Sequence, residues 1–132
     1  MYLNSRYIKL KRKIGSPMQT LKQNWHLVEE MTERLKTLNP YKIILFGSYA
    51  RGNPHQDSDL DVVVILDSDE IAETFAEKMD RRRPVSRAVR EIRYKIPMDI
   101  LVYSKAEIDY MKKEKDDLLR EMESTGKVLY ER

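Results

Sequence analysis

Apolar residues from Met18 to Leu38 recur every three to four positions, a spacing that predicts an amphipathic helix. The sequence Ser-Pro-Met-Gln at residues 16–19 supplies an N-cap serine, a proline at the first helical position and a capping-box glutamine. An Asn-Pro pair at residues 39–40 ends the helix, because a residue that precedes proline is disfavoured in the helical conformation. The first predicted element is therefore a long helix with one apolar face.

Short apolar runs rich in β-branched residues predict buried strands. Two of them, residues 41–46 and 60–66, flank a polar loop, and a third covers residues 98–103. Residues 47–51, directly after the first run, predict a short helix that ends before the loop at residues 52–54. The third strand is a natural sheet neighbour of the second.

Helical periodicity returns in the second half of the chain. Residues 68–79 predict a helix, which Pro84 is expected to break or restart. Three further elements are predicted, each bounded by capping or turn residues. The first is a helix over 85–92, and the second is a helical stretch from 105 to 122 that opens with a Ser-Lys-Ala-Glu capping box. The third is an edge strand over 127–130 after Gly126.

The resulting order, α-β-α-β-α-α-β-α-(α)-β, predicts an α+β fold of mixed α/β character. We expect a small mixed sheet with helices packed on one face. The 132 residues fit one domain, which we place at residues 16–132. Residues 1–15 form a predicted basic N-terminal extension, in which Lys9, Lys11, Arg12 and Lys13 cluster.

Composition narrows the class of protein. With 41% hydrophobic and 36% charged residues, the chain is typical of a globular protein. No apolar run approaches the roughly 20 residues of a membrane-spanning helix, and the first residues lack the apolar core of a signal peptide, so we expect no membrane association. The absence of cysteine excludes disulfides and thiolate metal sites and is compatible with a cytoplasmic location, which we predict.

The distribution of basic residues bears on possible partners. Arg83, Arg87 and Arg90 fall at i, i+4 and i+7 of a predicted helix and so share one face. Such a stripe can meet an acidic protein surface or a nucleic acid, or it can simply face solvent. The net charge of +3 is too small to indicate a nucleic-acid partner. Since aromatic residues do not interleave with these arginines, the sequence argues against RNA binding.

The polar loop between the first two strands holds the most informative pattern. It starts with Gly47-Ser48 and ends with Asp59-Leu60-Asp61, and ten residues separate Ser48 from Asp59. Asp59 and Asp61 are two apart on a strand, so their carboxylates point to the same side and suit a divalent cation. Gly47 lets the backbone approach a phosphate, and Ser48 offers a hydroxyl and an N–H. An ordinary turn is the alternative for Gly-Ser, but the combination predicts a metal-dependent enzyme acting on a nucleoside triphosphate.

Asp99 is a polar residue inside the apolar third strand. A buried carboxylate costs free energy unless it is paired or bound to a metal. Beside the second strand, Asp99 would join Asp59 and Asp61 in a cluster that holds one or two Mg²⁺; alternatively, it pairs with an arginine at a sheet edge. Arg51 presents a similar choice, because it either reaches the phosphates, the role that we assign to it, or pairs with Asp57.

Residues 47–61 resemble the nucleotidyltransferase superfamily related to DNA polymerase β, whose signature is Gly-Ser, ten further residues, Asp-x-Asp and a later Asp. The fuller sequence, Gly-Ser-Tyr-Ala-Arg-Gly followed by Ser-Asp-Leu-Asp-Val-Val-Val, is similar to the minimal nucleotidyltransferases. These proteins are often encoded beside a HEPN-domain ribonuclease toxin and act as its antitoxin. The resemblance extends from residue 20 to the C-terminus and implies a palm-like nucleotidyltransferase fold.

The resemblance also implies roles for individual residues. It makes Asp59, Asp61 and Asp99 catalytic residues and metal ligands, with Asp99 as the general base, and it makes Gly47 and Ser48 binders of the triphosphate. The implied reaction transfers AMP from ATP, or a nucleoside monophosphate from another triphosphate, to a hydroxyl group, which in some family members is a tyrosine of the toxin. Mg²⁺ is therefore the expected cofactor and a HEPN-type toxin the expected partner.

Two other functions stay open. A small-molecule nucleotidyltransferase of the aminoglycoside type is expected to carry extra C-terminal helices, which this chain does not show. A non-catalytic antitoxin would occlude its partner by binding alone. Because the resemblance covers only a catalytic palm, we expect the acceptor to come from another chain, within a homo- or hetero-oligomer, rather than from a nucleic acid. This expectation disfavours poly(A)-adding, CCA-adding and polymerase roles.

Overall fold

A computed structural model describes residues 16–132, so the basic extension predicted at residues 1–15 lies outside the described residues. The strands are β1 (Lys42–Phe46), β2 (Leu60–Leu66), β3 (Met98–Ser104) and β4 (Lys127–Glu131). The helices of this part of the chain are α1 (Pro17–Lys36), α2 (Gly47–Arg51), α3 (Phe75–Ala88), α4 (Arg90–Arg93), α5 (Lys105–Lys113) and α6 (Asp117–Thr125).

The four strands form one mixed sheet in the order β3-β2-β1-β4. Strand β1 is antiparallel to both β2 and β4, whereas β2 and β3 are parallel. The parallel pair is joined by the α3–α4 crossover, as two parallel strands require. The predicted order of elements and the α+β class are therefore confirmed, including the short edge strand at the C-terminus.

Helices cover both faces of the sheet rather than the single face that the sequence predicted. On one face, Ile43 and Leu45 belong to the core that includes buried residues of α1, α3 and α4. On the other face, Ile44 and Phe46 pack with α5 and α6 through residues such as Met122. The physical reason is that β1 and β2 are apolar at nearly every position instead of alternating, so both of their faces need a cover.

The long helix α1 forms as predicted. The Ser16 hydroxyl accepts a hydrogen bond of 3.1 Å from the Gln19 N–H, and Met31 and Leu35 are fully buried against the sheet. Within residues 16–132, no helix is both long and apolar enough to cross a membrane.

Helix α3 differs from its prediction at both ends. Residues 68–74 are not helical; the helix begins after Thr74, whose hydroxyl accepts a 3.1 Å hydrogen bond from the Glu77 N–H. It then continues through Pro84 as far as Ala88. A proline inside a helix removes a hydrogen bond and costs about 3 kcal/mol. Burial of Val85 directly after it offsets part of this cost and holds the helix on the core.

Candidate active site

The Gly-Ser turn and the Asp pair meet at one end of the two central strands. In the antiparallel pairing of β1 with β2, Phe46 lies opposite Asp61, and Gly47 follows directly. Gly47 has a φ of +72°, and a Cβ atom added there would lie 2.2 Å from Oδ2 of Asp61. The Asp61 carboxylate therefore packs against the Gly47 backbone, at a distance that only glycine allows.

Parallel pairing brings the third carboxylate to the same place. Asp61 of β2 is in register with Asp99 of β3, so both side chains leave the same face of the sheet. The Leu60 N–H donates a 2.9 Å hydrogen bond to the Pro97 carbonyl, which ties the beginnings of these strands together. Asp59 comes one residue before β2 and is exposed.

Asp99 is exposed, whereas the apolar run around it predicted a buried carboxylate. The reason is topological: β3 lies at the edge of the sheet, and position 99 is next to the open beginning of that strand. No arginine or lysine within the described residues forms an ion pair with it, so this part of the chain does not supply the arginine of the alternative prediction.

The pKa of Asp61 is raised by the environment of its carboxylate. Burial, as the largest cause, and the negative charges of Asp99, Asp59 and Glu121 together raise its pKa from 3.8 to about 6. Arg51 lowers the pKa, but less than the other effects raise it. The carboxylates thus lie near enough to repel one another, and within residues 16–132 the charge of Arg51 offsets this repulsion only in part.

These residues are candidate ligands of a divalent metal ion. As they stand, no three carboxylate, imidazole or thiolate groups within residues 16–132 are gathered closely enough to hold one. Asp61 is fixed against Gly47, while Asp59 and Asp99 are exposed and can turn towards it. All the available donors are carboxylate oxygens, which Mg²⁺ prefers, and their mutual repulsion is what a cation relieves. The residues fit a divalent cation by chemistry and charge.

Ser48 and Arg51 occupy the short helix α2 beside these carboxylates. Within the described part of the chain, the Ser48 hydroxyl forms no hydrogen bond. The Ser48 backbone carbonyl accepts a 3.0 Å hydrogen bond from the Asn53 N–H. Arg51 lies 3.6 Å from Glu121 of α6, not beside Asp57 as the alternative prediction had it. Ser48 and Arg51 are therefore close to the site, and Arg51 already has a carboxylate partner.

Glu121 is the residue of this region that the sequence analysis missed. It lies 60 residues after Asp61 and reaches the site only because α6 packs across β1 on the face that carries Asp61. Its carboxylate contributes to the raised pKa of Asp61. No motif surrounds Glu121, and no signal in the sequence pointed to its position.

Comparison with known proteins places this geometry in a family. A family model described as a nucleotidyltransferase domain matches residues 27–129. A "putative protein adenylyltransferase" of Methanocaldococcus jannaschii is 31% identical over 103 residues, which cover 76% of this chain and 92% of the relative. The crystal structure of a "putative nucleotidyltransferase" from Sulfolobus solfataricus shares the fold with a TM-score of 0.59, at 20% identity and 89% coverage of both chains. The chain is a nucleotidyltransferase and belongs to the nucleotidyltransferase domain family.

Proposed function

We propose that this nucleotidyltransferase transfers AMP from ATP to a hydroxyl group of a partner protein in a reaction that depends on Mg²⁺. The observation that carries the proposal is the Asp61 carboxylate, which is packed on Gly47 and raised in pKa by burial and by Asp99 and Asp59. The name of the relative from Methanocaldococcus jannaschii, which is matched over 92% of its length, supports a protein as the acceptor.

In the proposed reaction, Gly47 and Ser48 bind the triphosphate, and Asp59, Asp61 and Asp99 hold the cation. When bound, the cation would neutralise charge on the triphosphate and on the pyrophosphate that leaves. Asp99, as general base, accepts the proton of the acceptor hydroxyl while the hydroxyl oxygen forms a bond to the α-phosphorus. The bond between the α-phosphorus and the bridging oxygen breaks, and pyrophosphate takes the electron pair.

Arg51 belongs to the triphosphate site in this proposal. It is paired with Glu121 at 3.6 Å, and the two side chains are 45% and 43% exposed. Such exposed pairs contribute at most about 1 kcal/mol, so a bound triphosphate with several negative charges can draw Arg51 away. Glu121 would then lose its partner beside the carboxylates.

The acceptor in this proposal is a HEPN-type toxin, and the chain acts as its antitoxin in the cytoplasm. The exposure of Asp59 and Asp99 favours a macromolecular acceptor, because small substrates are usually enclosed in a pocket. An aminoglycoside-type acceptor is therefore the weaker alternative. An antitoxin that only occludes its partner remains the alternative without chemistry.

Incubation with labelled ATP, Mg²⁺ and the protein encoded by the adjacent gene tests the proposal. We expect labelled AMP on that protein, and we expect Asp59→Asn or Asp61→Asn to abolish the transfer. Asp57→Asn is the matched control, since Asp57 is an exposed carboxylate of the same loop, and its transfer should be unchanged. Transfer that survives both site variants would contradict the proposal, and a tight complex without transfer would favour occlusion.

A further inference from the structure

Helix α3 lies between two grooves that meet along it. The apolar groove, of about 590 Å³, is lined mainly by Ile71, Phe75, Leu101, Tyr103, Tyr110 and Met111. The arginine groove, of about 460 Å³, is lined mainly by Arg82, Arg83, Arg87, Arg90, Arg93 and Tyr94. Met79 and Arg82 line both grooves, so the two are continuous. We name them together the α3 surface.

The α3 surface exposes an unusual amount of large apolar side chain. Phe75 is 78% exposed, Tyr110 60% and Ile71 55% in the apolar groove, and Tyr94 is 80% exposed at the end of the arginine groove. Only two other large hydrophobic side chains within residues 16–132, Met18 and Val128, are exposed in this way. A contiguous patch of exposed apolar side chains usually marks a binding site, whereas single exposed apolar side chains are normal.

The apolar groove lies along the edge strand β3, which also carries Asp99 of the candidate active site. Asp99, Leu101 and Tyr103 alternate along β3 and therefore share one face of the sheet. Leu101 and Tyr103 form part of the groove floor. A molecule bound in the apolar groove would thus contact Leu101, which is two residues along the same strand face from Asp99, the carboxylate that we assign as general base.

The arginine groove carries positive charge that residues 16–132 balance only in part. Arg83 has a carboxylate partner, Asp80 at 2.5 Å. In the described part of the chain, the other four arginines of the groove form no ion pair. The groove contains no lysine, and arginine, tyrosine and methionine are the residues enriched at protein interfaces, where lysine is depleted.

We propose that the α3 surface binds a segment of the acceptor protein that presents large apolar side chains next to a group of carboxylates. The apolar side chains would cover Phe75 and Ile71, and the carboxylates would accept paired hydrogen bonds from the planar guanidinium groups. That this partner is the acceptor rests on the proposed function. A nucleic acid would leave the apolar groove without a counterpart, so a protein fits both grooves better.

Fluorescence anisotropy with the full chain and a labelled peptide, Phe-Leu-Tyr-Gly-Ser-Glu-Asp-Glu-Glu, tests this inference. We expect Arg87→Ser/Arg90→Ser and Phe75→Ser each to weaken peptide binding by about tenfold, as loss of an interface anchor does. A second peptide, with Gln and Asn in place of Glu and Asp, should bind the unaltered chain as weakly as the first peptide binds the arginine variant. Thermal unfolding of each variant checks that it is folded.

The matched control variants change residues that do not line either groove. Lys112→Ser/Lys113→Ser removes the same charge from α5, and Met18→Ser removes an exposed apolar side chain from α1; both should leave peptide binding unchanged. Equal loss in the control variants, no binding of the acidic peptide, or tighter arginine-dependent binding of a single-stranded oligouridine would overturn the inference. Self-association of the chain that is lost in Phe75→Ser would also overturn it, because a second copy would then cover the groove.

The same variants separate this inference from the proposed function. If Arg87→Ser/Arg90→Ser binds the peptide weakly while no AMP transfer to any protein is found, the α3 surface stands and the proposed function fails. If AMP transfer to the adjacent gene product proceeds at an unchanged rate and unchanged KM in the arginine variant, the proposed function stands and the α3 surface fails as an acceptor site.

Discussion

Asp61 and Glu107 are both partly buried carboxylates, yet the protein shifts their pKa values in opposite directions. Burial, as the largest cause, and the neighbouring carboxylates together raise the pKa of Asp61 to about 6. Burial acts in the same direction on Glu107, but the hydrogen bond from Arg81 and those from the Ser104 and Ala72 N–H groups outweigh it and lower the pKa of Glu107.

The difference separates a carboxylate that stabilises the fold from one that we propose binds a cation. Glu107 accepts 2.9 Å hydrogen bonds from the N–H groups of Ser104 and Ala72, and it pairs with Arg81 of α3. It therefore holds the end of β3, the start of α5 and the crossover together. Asp61 has negatively charged neighbours, and their repulsion lowers the stability of the folded chain. Such a loss of stability is usual at a site that binds a ligand.

Removal of the structural carboxylate should have the largest effect on stability. We expect Glu107→Ala to lower the free energy of unfolding by about 3 kcal/mol, since it leaves the Arg81 charge, which is 14% exposed, without its partner. Urea unfolding measures this loss. Glu123→Ala, at an exposed position of α6, is the control and should change stability little; a similar loss in both variants would contradict the comparison.

The contribution of Glu107 should also depend on pH. Because its pKa is lower in the folded state than the ordinary value of 4.5, the stabilisation is present above that value and is lost as the pH falls below it. The difference in unfolding free energy between the natural chain and Glu107→Gln should therefore shrink in acid. A difference that stays constant down to acid pH would show that the charge of Glu107 does not contribute.

Gly47→Ala changes the candidate active site around Asp61, and Gly52→Ala is its matched control. Both glycines have positive φ, +72° and +80°, but only at Gly47 would a Cβ collide with Asp61. We expect Gly52→Ala to lower the unfolding free energy by about 1 kcal/mol through backbone strain alone, and Gly47→Ala by about 2 kcal/mol. Only Gly47→Ala should also abolish AMP transfer, because the Asp61 carboxylate must move. Equal effects of the two variants would contradict this account.

Asp61→Asn should stabilise the chain in the absence of divalent metal. Since the folded pKa of Asp61, about 6, exceeds the ordinary value of 3.8, its charge opposes folding progressively as the pH rises through this range. The gain from asparagine, about 1 kcal/mol after allowance for solvent screening, should be present at pH 7 and vanish near pH 4. Thermal unfolding with a chelator at both pH values measures it, and destabilisation at neutral pH would contradict the assignment.

Tyr49→Phe should have the smallest effect. The buried Tyr49 hydroxyl accepts a 2.8 Å hydrogen bond from the Asn24 amide, which links α1 to α2. Loss of one such bond costs about 1 kcal/mol, and the Asn24 amide is half-buried, so water can replace part of the bond. A loss as large as that of Gly47→Ala would mean that α1, and not only the Gly47 turn, positions the site.

Local signals account for what the sequence predicted. Gly47, Ser48, Asp59 and Asp61 lie within one loop and its flanking strands, so their spacing alone indicated that they belong together. Parallel pairing with β2 was then enough to bring Asp99 into register. The order of the elements followed from apolar spacing and from capping residues, which the neighbours of each element supply.

Contacts between distant segments account for what the sequence did not predict. Glu121 reaches Arg51 only because α6 crosses β1, and the α3 surface exists only because residues of α3, β3 and α5 are adjacent in space. The late start of α3 is a different case: Thr74 and Glu77 form a capping signal in the sequence, but the apolar spacing that begins before them obscured it. Tyr94 likewise joins the arginine groove at its end, where spacing along a helix does not reveal it.

The hydrogen bond from the Leu60 N–H to the Pro97 carbonyl helps to fix the register of β2 and β3. The distance between the Asp61 and Asp99 carboxylates therefore depends on the backbone. Asp61 and Asp99 lie side by side on one face of the sheet because β2 and β3 share one register, and side-chain directions alternate along a strand. One residue inserted between Pro97 and Met98 would turn Asp99 to the opposite face and bring Met98 beside Asp61. An insertion within residues 67–74, which join β2 to α3, would leave this register unchanged, whereas an insertion just after Pro97 would separate the Asp99 carboxylate from Asp61.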